Sequence, residues 1–116
     1  MKKTDVREML PLGSTMFYIL LTLASGERHG YAIIKEVDDT TAGAIKLSPA
    51  TLYRLIKQLL ADAWIDEVPT DADDDPRRRY YRLTSQGRDI AKAEARRLAD
   101  LVRVARARHL LPSAAL

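Results

Sequence analysis

The stretch that decides the fold is residues 47–60, which read LSPATLYRLIKQLL. Ser48 followed by Pro49 predicts a helix start, because a serine hydroxyl caps free backbone N–H groups and proline suits the first helical position. Apolar residues then recur at every third or fourth position, which is typical of a helix with one buried face. These residues are Leu52, Leu55, Ile56, Leu59 and Leu60. The remaining surface is basic, since no Asp or Glu occurs from Ile45 to Ala61.

Two further helices are predicted upstream of this stretch. The first starts at Ser14, whose hydroxyl we expect to cap it, and runs to Leu23 before Ser25 and Gly26 stop it. It is apolar on nearly every side, so we expect it at the centre of the core. The second begins near Gly30. Its expected buried face consists of Tyr31, Ile33, Ile34 and Val37.

Downstream, Trp64–Pro69 and Arg79–Leu83 read as two strands around an Asp-rich hairpin tip at residues 70–78. Thr84 then caps a long final helix that runs to about His109. The predicted fold is mainly α with a small β-hairpin: a winged helix-turn-helix plus a long C-terminal dimerisation helix. We assign residues 1–83 to the winged-helix DNA-binding domain with an N-terminal arm, and residues 84–116 to the dimerisation helix and tail.

Composition excludes several classes of function. With 116 residues the chain fits one domain, and its net charge of +3 is too small to identify a nucleic-acid partner by itself. The absence of cysteine removes disulfides and thiolate metal sites, and two histidines are too few for a multi-histidine site. The longest apolar stretch, Met16–Ala24, is too short to cross a bilayer. We therefore expect a cytoplasmic protein that has no membrane partner, no metal and no cofactor.

The predicted third helix is the candidate DNA-reading element. In a helix-turn-helix, the second helix of the unit enters the major groove by its N-terminal residues, here starting at Pro49. Arg54 could donate to guanine edges, while Thr51 and Lys57 suit phosphate oxygens. The alternative is an ordinary solvated face, since many surface helices carry such residues.

Two other groups of residues join this candidate DNA surface. In the predicted wing we expect Arg77 and Arg79 on one face of the strand and Arg78 on the other, with the arginines contacting the DNA backbone or minor groove. Tyr31 and Tyr53 fall near the same surface, where their hydroxyls could reach phosphate.

The sequence does not support a catalytic function, because nucleophile, paired-carboxylate and phosphate-loop motifs are missing, and a structurally hydrogen-bonded role suits His29 better. We predict that the protein is not an enzyme.

The final helix carries a stripe of apolar residues that predicts a homodimer interface, because so small a core cannot cover so long a helix. The alternative is that the helix folds back over its own core. A twofold dimer would place two recognition helices about one DNA turn apart on a palindromic site. We expect Val6, Met9 and Leu12 of the arm to pack against the partner's helix. The interface candidates are Ile90, Leu98, Leu101, Val102 and Ala105.

Four segments together resemble the PadR family of bacterial transcriptional regulators, in its short subgroup with a single C-terminal helix. They are Phe17–Leu21, Glu27–Tyr31, Leu47–Tyr53 and Arg78–Thr84. The resemblance implies a winged helix, a homodimer built through the C-terminal helix, and repression at palindromic double-stranded DNA. It also implies DNA contacts by Tyr31, Ser48, Thr51, Tyr53 and the wing arginines.

Two positions depart from the family pattern. Ala50 stands where glycine or serine is usual, and Ala63 stands where glycine usually ends the recognition helix. A left-handed backbone would strain an alanine, so we expect the helix to exit differently at Ala63.

Two other functions remain open. A winged helix can act as a protein-interaction module without binding DNA, with the long helix as its working surface. The protein could also sense a small-molecule effector between subunits near Trp64, although no residue cluster defines a pocket or the identity of a ligand. The operator sequence, the regulated genes and the choice between repressor and activator are not encoded in any motif.

Overall fold

The computed structural model describes residues 6–69 and 79–113. A short 3₁₀ turn, Val6–Met9, precedes helix α1, Ser14–Ala24. Strand β1, Arg28–His29, leads directly into α2, Gly30–Thr40, and α3 spans Pro49–Ala61. Strands β2, Ile65–Val68, and β3, Tyr80–Leu83, are followed by α4, Ser85–Ala107. This order of helices and hairpin strands confirms the predicted architecture.

Side-chain caps account for where helices α3 and α4 begin. Ser48 Oγ accepts a hydrogen bond from Thr51 N at 3.1 Å, as predicted for α3. Thr84 Oγ1 accepts from Gly87 N at 3.0 Å at the start of α4, also as predicted. The predicted cap at Ser14 is wrong: Ser14 is already helical, and the extended residue before it, Gly13, has no side chain to cap α1.

The sheet has three antiparallel strands in the order β1-β3-β2. The predicted hairpin is present, with Ile65 opposite Leu83 and Val68 opposite Tyr80. Strand β1 was not predicted; its His29 pairs with Tyr80 on the other edge of β3. Because β1 has two residues, it is too short to show the alternation that reveals a strand.

The core forms around α1, as its apolar sequence predicted. Ile19 and Leu20 of α1 are fully buried, and α2 contributes Ile33 and Val37. Tyr31 does not belong to this face: it is 49% exposed, because two helical positions separate it from Ile33 and turn it to the opposite side. Leu23 of α1 is buried as well, and the remaining buried apolar residues lie in or next to α3, in the sheet and at the start of α4: Leu47, Leu52, Ile56, Leu59, Trp64, Ile65, Tyr81, Ile90 and Ala91.

Helix α3 ends in a left-handed turn at Ala63, whose φ is +60°. Ala63 N donates to Leu60 O at 3.1 Å and Trp64 N donates to Leu59 O at 3.0 Å, which is the Schellman pattern usually built on glycine. The expectation of a different exit was therefore wrong, because these two bonds and the burial of Trp64 hold the alanine in place. Ala42 and His109 end α2 and α4 with φ of +51° and +63°.

The start of α4 is fixed against the end of α3. Thr84 N donates to Trp64 O at 3.1 Å, and Thr84 Oγ1 donates to Ala63 O at 2.6 Å. Gly87 is buried beside them, and a Cβ added there would lie 1.9 Å from Trp64 O. A glycine is therefore required where α4 crosses the end of α3.

The described part of the N-terminal arm packs on the protein's own α4. Its apolar residues Val6, Met9 and Leu12 are partly buried against the core. Leu12 N donates to Glu94 Oε2 of α4 at 2.8 Å. Because the three side chains are only partly buried by their own chain, the packing of this arm on a partner's helix stays a prediction.

No helix among the described residues combines the length and the apolarity that a membrane crossing needs.

Candidate nucleic-acid interface

The exposed side of α3 is basic and open to solvent. Pro49, Ala50, Arg54 and Lys57 are exposed, and Thr51 is half-buried. Within the described residues, neither Arg54 nor Lys57 forms an ion pair, so both cations are available to a ligand. A helix N-terminus and two cations on one surface favour an anionic partner.

The two hydroxyls at the start of α3 are bonded to each other. Ser48 Oγ donates to Thr51 Oγ1 at 3.0 Å while it accepts from Thr51 N. This arrangement orders the first turn of the helix. Ser48 and Thr51 lie at the N-terminus of α3 and reach the protein surface, as the sequence predicted.

Tyr53 lies against the start of α2. A Cβ added at Gly30 would be 2.7 Å from the Tyr53 hydroxyl and 3.4 Å from a methyl of Leu52. The helices therefore approach closely because residue 30 has no side chain. Tyr31, the next residue, is exposed beside this contact, so the structure brings both predicted tyrosines to the junction of α2 and α3.

The described base of the wing contains Arg79, one of the predicted DNA contacts. Its Nε lies 3.1 Å from Glu67 Oε1, in a pair whose side chains are 48% and 43% exposed. Such an exposed pair contributes little to stability, so a phosphate could replace the carboxylate. Arg77 and Arg78 lie outside the described residues, as do their predicted faces.

His29 connects the helix-turn-helix to the wing, a role that the sequence did not reveal. Its Nδ1 accepts from Ala32 N at 3.2 Å, which caps α2 and confirms the expected structural role. Its ring also meets the ring of Tyr80 edge to face, with centroids 5.4 Å apart. Tyr80 directly follows Arg79, so the cap of α2 and the root of the wing are in contact.

The apolar stripe on α4 divides into a buried part and an exposed part. Ile90 is fully buried in the protein's own core, because the first turns of α4 pack on α1. It is therefore removed from the predicted dimer surface. Leu101 and Val102 are 53% and 36% exposed, and Val104, which was not predicted, is 47% exposed.

Comparison with known proteins places these features in a family. A sequence model of the transcriptional regulator PadR-like family matches residues 19–93, which run from α1 into α4. The chain belongs to the PadR-like family. Its members are transcriptional regulators and not enzymes, in agreement with the prediction from the missing catalytic motifs.

Individual proteins resemble this chain in sequence or in fold. An uncharacterised protein of Lysinibacillus sphaericus is 30% identical over 102 residues, which cover 83% of this chain and 94% of the relative. A transcriptional regulator from Clostridium thermocellum is 25% identical, with a TM-score of 0.67 over 90% of this chain and 94% of its own. Bacillus subtilis PadR, solved in complex with operator DNA, has a TM-score of 0.61 and 22% identity over 72% of this chain and 47% of its own.

These likenesses confirm the winged-helix fold predicted from the order of elements. The described residues contain no group of three or more His, Asp or Glu side chains placed to hold a metal ion.

Proposed function

We propose that this protein is a sequence-specific, double-stranded DNA-binding transcriptional regulator that works in the cytoplasm as a homodimer on palindromic operators. The observation that carries the proposal is the exposed, acid-free surface of α3, positioned as the recognition helix of a winged helix-turn-helix. The operator complex of Bacillus subtilis PadR, whose fold is similar, supports the same use of the fold here.

Each candidate residue has a defined role in this proposal. Arg54 reads base edges in the major groove, because an arginine can donate twice to guanine. The other contacts fix the position of the protein on the duplex. Most are made to the phosphate backbone, the wing arginines contact the backbone or the minor groove, and Pro49, which has no N–H to donate, forms the exposed start of the recognition helix. The residues that make these other contacts are Tyr31, Ser48, Pro49, Thr51, Tyr53, Lys57, Arg77 and Arg79.

The homodimer is built through the part of α4 that leaves the domain. Leu98, Leu101, Val102 and Ala105 lie on one side of this helix, and the exposure of Leu101 and Val102 supports a partner there. Residues 1–83 are then the DNA-binding domain with its arm, and residues 84–116 the dimerisation helix and tail, although the first turns of that helix also complete the core of the DNA-binding domain. Repression at the operator follows the resemblance to the family, and any small-molecule effector remains unassigned.

Selection of bound duplexes from a random pool tests this function. The purified protein is expected to enrich a palindrome whose half-sites are about 10 base pairs apart, or a multiple of that distance. Binding should weaken steeply as salt is raised, because each neutralised phosphate releases counterions. No measurable duplex binding at low salt would reject the proposal in favour of a protein-interaction module.

Two substitutions on α3 separate base reading from phosphate contact. Arg54→Ala should reduce the preference for the selected sequence by about 1–3 kcal/mol while changing binding to random DNA less. Lys57→Ala should weaken binding to both DNAs equally and reduce the slope of log affinity against log salt by about one. Equal losses on selected and random DNA for Arg54→Ala would remove its role in reading bases.

A further inference from the structure

In the part of the chain that the structure describes, one charged side chain is fully buried. Glu94 is 1% exposed, and both of its carboxylate oxygens are hydrogen-bonded. Oε1 accepts from Arg97 Nε, and Oε2 accepts from Arg97 Nη2 at 3.1 Å and from Leu12 N at 2.8 Å. We call Glu94, Arg97 and the Leu12 N–H the Glu94 junction. Burying a carboxylate is unfavourable unless such bonds replace its water.

The junction lies where α4 leaves the domain. Glu94 is the last buried residue of α4; Leu98, one turn later on the same side, is half-buried, and the residues beyond it are largely exposed. The bond to Leu12 joins residues 82 positions apart. The junction therefore connects the N-terminal arm to α4 at the boundary between its packed and its projecting half.

We propose that Glu94 is a positioning residue that holds the N-terminal arm on α4 and thereby fixes the direction in which the dimerisation half of α4 leaves the domain. This inference gives the arm a function. It rests on the proposed function in one respect, since in a homodimer that direction sets the distance between the two recognition helices.

We assign Glu94 a positioning role, and not only a packing role, because its hydrogen bonds are directional. An apolar side chain at residue 94 could fill the same space, but it would accept slightly different tilts of the helix against the arm. Arg97, three residues further along α4, fixes the direction of the carboxylate, so the one bond that crosses from the arm, Leu12 N to Glu94 Oε2, is satisfied in one arrangement. A shift of the arm against α4 would break that bond and leave the buried oxygen without one of its donors.

The geometry makes the operator sensitive to this direction. From Glu94 to Ala107 the helix extends about 20 Å, at 1.5 Å per residue. A tilt of about 10° at Glu94 would move its far end by roughly 3.5 Å, which matches the rise of one base pair. A change of one base pair also turns the half-site by about 34°, so a loosened junction should reduce the penalty for a changed spacing without removing it.

The test compares Glu94→Gln with Asp100→Asn. Asp100 is a matched control, because its carboxylate pairs with Arg103 at the same three-residue spacing but is 66% exposed and forms no hydrogen bond or ion pair with the described residues of the arm. Each protein is measured by competition on palindromes whose half-site spacing is changed by one or two base pairs. The unchanged protein and Asp100→Asn should prefer one spacing, while Glu94→Gln should lose about 2- to 30-fold of that preference and keep its affinity for a single half-site.

Hydrogen exchange at the Leu12 amide provides a measurement that needs no DNA. The Leu12 N–H should exchange slowly in the unchanged protein and in Asp100→Asn, and faster in Glu94→Gln. If Glu94→Gln speeds this exchange but leaves the spacing preference unchanged, Glu94 holds the arm without positioning α4, and the proposal is wrong. A Leu12 amide unprotected in the unchanged protein would overturn it as well.

Arg97→Ala is the second variant if Glu94→Gln does not fold. Arg97 is 34% exposed, and its removal leaves the bond from Leu12 to Glu94 in place. It should also relax the spacing preference, by less than Glu94→Gln. Failure of the unchanged protein to bind duplex DNA or to dimerise would instead overturn the proposed function, while the exchange measurement would still decide whether the junction holds the arm.

Discussion

At Ala63 the backbone takes a φ of +60° in a residue that carries a Cβ. This conformation is unfavourable by about 1–2 kcal/mol for an L-residue, while glycine adopts it freely. Ala63→Gly should therefore raise the free energy of unfolding by about 1 kcal/mol, even though glycine loses more backbone entropy on folding. Denaturant unfolding measures the change.

The control for Ala63→Gly is an alanine with ordinary helical geometry. Ala99 is exposed in the interior of α4, so Ala99→Gly should destabilise the protein by about 1 kcal/mol. Opposite signs for the two substitutions support stored strain at Ala63. If both substitutions destabilise the protein, the left-handed turn at Ala63 stores no strain.

Glu94 makes the stability of the protein depend on pH in the acidic range. The hydrogen bond from Arg97, and then that from Leu12 N, lower the pKa of Glu94 below its ordinary value against the opposing effect of burial. The contribution of the Glu94 carboxylate to the free energy of unfolding is then fully present above the pKa of about 4.3 that glutamate has in the unfolded chain. It is lost as the pH falls through the lower pKa of the folded protein. We expect Glu94→Gln to be less stable than the unchanged protein at pH 7 by about 1–3 kcal/mol.

Unfolding in denaturant at pH 7 and at several values below pH 4.3 measures this dependence. The difference between the two proteins should narrow as the pH falls, because protonation removes the charge that the substitution also removes. Asp100→Asn should show a small difference at every pH, since its pair is exposed. A constant difference for Glu94→Gln would mean that its charge does not stabilise the fold.

Among the elements, the junction of α3 and α4 depends on a glycine. A Cβ at Gly87 would lie 1.9 Å from Trp64 O, a backbone atom that cannot rotate away. Gly87→Ala should therefore displace the start of α4 and lower the free energy of unfolding by about 3 kcal/mol or more. Thermal and denaturant unfolding both report this loss.

Gly13→Ala is the matched substitution for Gly87→Ala. A Cβ at Gly13 meets nothing within 4 Å, and its φ of −63° suits any residue. It should change stability by at most about 1 kcal/mol, through the poorer helix cap. Similar losses for the two substitutions would indicate that the backbone at Trp64 moves aside easily.

The elements differ in how far their sequences determine them. Helix α3 was predictable because its cap, its proline and its apolar spacing are all local signals. Strand β1 was not, because two residues become a strand only by pairing with Tyr80 and Tyr81. The cap of α1 was wrongly predicted for a related reason: Ser14 has the right chemistry, but its backbone is already helical.

At the scale of the molecule, dimerisation is expected to depend on the exposed half of α4. Replacing both Leu98 and Val102 with Asp would place charges in an apolar interface, where they lose their water without gaining a partner. This double variant should be monomeric by size-exclusion chromatography with light scattering, at concentrations where the unchanged protein is a dimer. It should also bind palindromic DNA more weakly than the unchanged protein does.

Arg96→Asp controls for the change in charge on α4. Arg96 is exposed on the side of the helix away from Leu98, so its replacement should leave the dimer intact. A dimer that persists in the Leu98 and Val102 variant would contradict the proposed interface.

Only the features of the candidate site that depend on local sequence could be predicted. The basic surface of α3 was visible in the absence of acids, and the chain does place Arg54 and Lys57 in solvent. The burial of Ile90 and the position of the arm could not be predicted, because both depend on packing between residues far apart in the sequence. The spacing of apolar residues along a helix does not show which of them the protein's own core covers. Glu94 gave no signal either, since a glutamate in a charged helix resembles any solvated residue.

The left-handed helix ends also affect how this protein can evolve. Ala42 and Ala63 are both exposed, and any alanine codon becomes a glycine codon through one change at its second base. Glycine would relieve backbone strain at either position without altering a contact of the candidate DNA surface. Each position therefore offers a single-nucleotide route to greater stability, which could offset a destabilising substitution acquired elsewhere, such as one that changes which operator the protein reads.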